Sequence, residues 1–130
     1  MSVSSWVKRS TAKAYAKSLY NSIIPAAIAL RHKYHDLKPG VEAASAVLDK
    51  RTDLVRNPHN PAFYHHVKQG WSIELKPDDT LYDVVVRMAT TEVSYLYHDR
   101  PAEKDEYLQM VLIELDKLHK RDLGAAGLAE

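Results

Sequence analysis

The sequence predicts an all-α fold, a single-domain bundle of four to six helices with the segment over 79–99 at its centre. Three observations carry that expectation. DTLYDVVVRMATTEVSYLYHD (Asp79–Asp99) places its apolar side chains at helical spacing, over an arc of roughly 220° on the wheel. Leu81, Val84, Val85, Met88, Tyr95 and Leu96 form one side of that arc, and Tyr82, Val86, Ala89, Val93 and Tyr97 the other. A helix so widely apolar is expected to pack on at least two sides. The chain holds only 4 Gly, too few for a β-rich fold of tight turns. Proline and glycine breaks also cut it into pieces of helical length.

In chain order, residues 4–36 read as helix, with Ser4 or Ser5 as cap and apolar residues recurring from Ala12 to Leu30. Pro25 removes one backbone hydrogen bond, so the segment is either one kinked helix or two. Lys38-Pro39-Gly40 is a breaker, and 41–56 reads as a second helix. Two Asn-Pro steps within 57–61 make a turn. Asn60 and Pro61 then suit the start of a short helix reaching about Gln69. Trp71–Lys76 alternates weakly, but one short strand has no evident partner. Thr80-x-x-Asp83 has capping-box spacing at the head of the central helix. Arg100-Pro101 separates it from a last helix, to about Arg121, which is expected to run antiparallel to it. Its leading acids and trailing cations suit the helix dipole. The domain is taken as 1–123, with 124–130 as a frayed tail.

The net charge of +1 conceals two opposed halves. Residues 1–76 carry 12 Lys/Arg against 5 Asp/Glu, whereas 77–130 carry 6 against 12. Residues 1–35 contain six cations and no acid. Such a split either draws the halves together or presents a basic face to an acidic partner. The absence of Cys removes thiolate nucleophiles and ligands, and suits a reducing compartment such as the cytoplasm. The first twenty residues have transit-peptide composition, but are read as the start of the first helix. The longest apolar run, Ile23–Leu30, is 8 residues, well short of the about 20 a bilayer span needs, so no membrane partner is expected.

Two groups of side chains carry possible chemistry. Arg9, Lys13 and Lys17 stand at i, i+4, i+8 as a basic ridge, with Arg31 on a similar heading and Trp6 nearby as a stacking aromatic. Glu92 falls in the middle of the apolar arc, where a carboxylate must be paired, protonated or at an interface. A tyrosine hydroxyl is one partner of the kind it needs. The 7 His allow a metal site built from Glu92, His32, His35 and His98, although the chain has no Glu-x-x-His or His-Glu-x-x-His pattern. The pair His98-Asp99 is followed by Arg100-Pro101, unlike the small residues of HD-type phosphohydrolases. Arg51…His59 and Arg56…His65 are spaced too widely for the HEPN ribonuclease signature.

The expected function is therefore that of a non-enzymatic helical binding or accessory protein, in which the basic N-terminal face meets an acidic protein or a nucleic acid. A homodimer is compatible with this, and no cofactor is implied. The alternatives are a nucleic-acid-backbone-binding small subunit and a metal-dependent hydrolase centred on Glu92 and the His residues. Small helical subunits of CRISPR effector complexes share the general character of the former, without a shared motif here.

Overall fold

A computed structural model describes residues 3–122, and the side chains of 8–121. The side chain of Trp6 and the tail over 124–130 lie outside the described residues. The element order is α1 (Val3–Lys33), α2 (Val41–Leu48), β1 (Leu54–Arg56), β2 (Phe63–His66), β3 (Ser72–Glu74), α3 (Leu81–Leu96) and α4 (Pro101–Asp122). The fold is mixed α/β, mostly helical, and the all-α expectation is corrected by an antiparallel meander in the order β1-β2-β3.

The meander occupies the stretch read as the end of one helix and the whole of another. The second helix stops at Leu48 instead of reaching Arg56, because its next side chains find other partners. Asp49 takes the Arg56 guanidinium and the Tyr64 hydroxyl, the latter at 2.7 Å. Arg51 grips Asp53 through two bonds of 2.9 and 2.8 Å. The Asp49 pairs tie the end of α2 to β1 and β2 rather than to a further helical turn. Asn57 then folds the chain back, its Oδ1 accepting from the backbone N–H of His59 and Asn60. Aromatic and β-branched residues over 63–67 prefer the pleated surface that results. β2 is the partner that Trp71–Lys76 lacked in the helical reading, since Phe63, Tyr64 and His65 lie opposite Glu74, Ile73 and Ser72.

Register assigns the two faces of the sheet. Leu54, Tyr64 and Ile73 turn inward and are buried, while Val55, Ser72 and Glu74 face out. Burial, and then the bond to Asp49, pushes the Tyr64 hydroxyl up to about 12.

α1 is one continuous helix of 31 residues with Pro25 inside it. An interior proline costs about 3 kcal/mol. Burial of Ile23, Ile24 and Ala27 around it offsets that cost, at about 1.5–3 kcal/mol for each large aliphatic side chain. Pro25 itself faces solvent. Ala12, Ala16, Ala27, Ala43 and Ala44 have no exposed surface, so α1 and α2 can approach their neighbours closely.

α3 touches α1, α2, α4 and β3. Leu81, Val84, Val85, Met88, Ala89 and Val93 are buried, but Tyr95 and Leu96 in its last turn are exposed. The apolar arc is thus sheltered through Val93, exposed at Tyr95 and Leu96, and half-buried again at Tyr97. Thr80 and Asp83 close a reciprocal capping box at its start, with both bonds at 3.0 Å. α4 runs back along α3: Tyr82 stacks on His119 with ring centres 3.9 Å apart, and Tyr97 meets Tyr107 at the other end.

Candidate functional site

The continuity of α1 decides where the basic residues lie. Arg9, Lys13 and Lys17 are exposed along one edge, and Arg31 is half-buried on the same helix, about 21 Å beyond Lys17 at 1.5 Å per residue. Successive ridge residues rise by about 6 Å. Among the described residues, neither Lys13 nor Lys17 forms an ion pair with a carboxylate. Lys8, beside the ridge, reaches Glu103 in the first turn of α4 at 3.9 Å. Both partners of that pair are solvated, so it contributes at most about 1 kcal/mol. The opposed halves of the chain therefore meet at Lys8, while Lys13 and Lys17 stay open.

Glu92 has a partner. The Tyr15 hydroxyl donates to Glu92 Oε1 at 2.7 Å, joining α1 to α3. Burial, and then this bond, pushes the Tyr15 hydroxyl far above its ordinary range. Tyr107 stands close enough for burial and the neighbouring Tyr97 and Glu92 to raise it too. The carboxylate in the apolar arc is thus tied to a core-facing phenol.

The histidines named as possible ligands do not gather with Glu92 into a metal-ligand group among the described residues. His32 and His35 are exposed at the end of α1, and exposed His98 sits with Nδ1 3.1 Å from the Tyr95 carbonyl. Among the described residues, no three His, Asp or Glu side chains are grouped to hold a metal ion.

The strand pairing assembles polar groups that sequence spacing did not connect. His65 Nδ1 is 2.6 Å from Ser72 Oγ, and its Nε2 is 3.0 Å from Asn57 Nδ2. This is hydrogen-bond reach for a nucleophile and its base. With the Asn57 amide nitrogen facing Nε2, however, the neutral ring carries its proton on Nδ1 and donates to Ser72, the reverse of what a general base requires. Across the sheet, His66 Nδ1 accepts from the backbone N–H of Gln69 at 2.9 Å, fixing the β2–β3 turn. Its Nε2 faces Asp53 at 3.6 Å. Only the register His65↔Ser72 brings these groups together, and a helical reading of 61–69 concealed it.

Asp79 is the one buried charged side chain among the described residues. It accepts from the Arg87 guanidinium and, at 2.8 Å, from the Lys76 backbone N–H. The Arg87 guanidinium also reaches the Glu74 carbonyl at 3.0 Å, so this group locks β3 to α3. Arg87 holds the Asp79 carboxyl below the usual carboxylate range.

The chain matches no family model, no curated protein and no solved structure. No helix among the described residues is long and apolar enough to cross a membrane.

Proposed function

We propose that this chain is a non-enzymatic binding protein that offers the basic edge of α1 to a polyanionic surface, either an acidic protein or a nucleic-acid backbone. The observation that carries the reading is the exposure of Lys13 and Lys17 without carboxylate partners among the described residues. The acid-free composition of residues 1–35 supports it further. Like charges at i, i+4 cost a helix about 0.2–0.5 kcal/mol per pair. A ridge kept at that cost is useful against phosphates or carboxylates. The step of about 6 Å along the helix favours a partner with regularly repeated charge.

The test is binding of the full chain to single-stranded and double-stranded oligonucleotides and to poly-glutamate across a salt series. Arg9, Lys13 and Lys17 replaced together by Ala should weaken binding to the preferred polyanion at least tenfold. Against an oligonucleotide, the logarithmic salt slope should fall by about 2–3, one phosphate contact per cation. Unchanged affinity and slope in the triple variant would remove the ridge as the contact surface.

A further inference from the structure

A second surface of α1 carries chemistry that the basic ridge does not. The wheel places Ala26, Ala29 and Lys33 about half a turn from Lys13, on the side of α1 facing the end of α2. There a groove of about 380 Å³ opens between the two helices. We propose that this groove binds a small amphiphilic anion, an apolar chain carrying an anionic head group.

Its floor is apolar. Ala26, Ala29 and Leu30 come from α1, and Val47 comes from α2. Ala26 and Ala29 are exposed and too small to fill the space between the helices. The volume lies within the about 300–1,000 Å³ range of small-molecule sites. It suits one short chain or ring rather than a peptide helix about 10 Å across.

The rim is cationic. Lys33, Lys50 and Arg51 border the groove, and no carboxylate does. Arg51 is held in place by its two bonds to Asp53, with its Nη1 3.5 Å from Ser22 Oγ. Lys50 forms no ion pair among the described residues. The Lys33 ammonium lies 5.4 Å from the centre of the Tyr34 ring. An anion at this rim meets positive charge beside an apolar wall. The apolar body of the same ligand covers the floor. This inference does not rest on the ridge, since the two surfaces lie on opposite sides of α1.

The experiment is titration of the isotope-labelled full chain with decanoate below its micelle concentration, followed by amide shifts. Decanol and decyltrimethylammonium serve as neutral and cationic probes of the same chain length. Decanoate should move the amides of Ala26, Ala29, Val47 and Lys50, and bind at least tenfold more tightly than either other probe. Lys33→Glu with Lys50→Glu should weaken decanoate at least tenfold. Ala29→Trp, which fills an exposed groove rather than the core, should abolish the shifts while the circular dichroism spectrum stays unchanged. Replacing Arg9, Lys13 and Lys17 with Ala should leave decanoate affinity intact. Equal binding of decanol, shifts confined to other residues, or loss of decanoate binding in the ridge variant would overturn the assignment.

Discussion

Tyr15 donates its hydroxyl to Glu92 at 2.7 Å across 77 residues of sequence, and this bond answers how the apolar arc of α3 tolerates a carboxylate. Each group satisfies the other at a half-buried position, so removing one alone leaves a polar atom without that partner. A hydrogen bond to a charged group contributes about 1.5–3 kcal/mol, and stranding its partner costs a similar amount. Tyr15→Phe and Glu92→Leu should each destabilise the fold by about 1–3 kcal/mol in urea unfolding. The double variant should cost less than the sum, because nothing polar then remains unpaired. Strictly additive costs would show that the bond contributes no coupling.

The position of Glu92 was legible from periodicity alone: a helical wheel put it among Leu81, Val85 and Met88, and a phenol belonged to the expected kinds of partner. Which tyrosine supplied it was not legible, because the eight in the chain look alike without packing. The capping box at Thr80 was readable for a different reason, since its two bonds span only three residues.

The backbone at Gly40 meets a constraint of this kind from a distant segment. It adopts φ +80°, and an added Cβ would stand 2.5 Å from the Asp79 carbonyl oxygen. That neighbour is main chain at the entrance to α3, so it cannot turn aside as a flexible side chain would. Gly40→Ala should therefore cost more than about 2 kcal/mol, combining left-handed strain with the clash. Gly70 has nearly the same φ, +81°, but open space around it. Gly70→Ala should cost about 1 kcal/mol, the conformational part alone. Equal unfolding midpoints for the two variants would deny any role to the contact with Asp79.

The meander was hidden from the sequence because each of its strands has only three or four residues. Over so short a span, period two and period 3.6 are poorly separated, and Asn60-Pro61 is as good a helix start as it is a turn. Cross-strand partners decided the matter: Tyr64 reaches back to Asp49, and Leu75 N–H donates to the Ala62 carbonyl. The ridge residues were legible as a pattern, whereas the exposure of Lys13 and Lys17 depended on where acidic α4 docked. The groove was illegible, since Lys33, Lys50 and Arg51 converge only when α1 and α2 pack.

Asp79 and Arg87 give the fold a defined response to acid. The carboxyl has an ordinary value of 3.8, and the guanidinium lowers it in the folded chain. The folded state thus binds a proton less readily than the unfolded state does. The stabilisation is complete above the unfolded value, about pH 4, and is lost as pH falls through the lower folded value. Asp79→Asn keeps the shape but removes the charge that Arg87 and the Lys76 N–H share. At neutral pH it should cost about 3 kcal/mol, the low end for a broken buried pair, because Arg87 retains 26% of its side-chain surface in solvent. The gap between the native chain and the variant should then narrow as pH is lowered from roughly 7 to roughly 3, since protonation removes the same charge from the native chain. Urea midpoints across that range provide the measurement. A gap independent of pH would assign the cost to altered packing at the start of α3 rather than to the Asp79 charge.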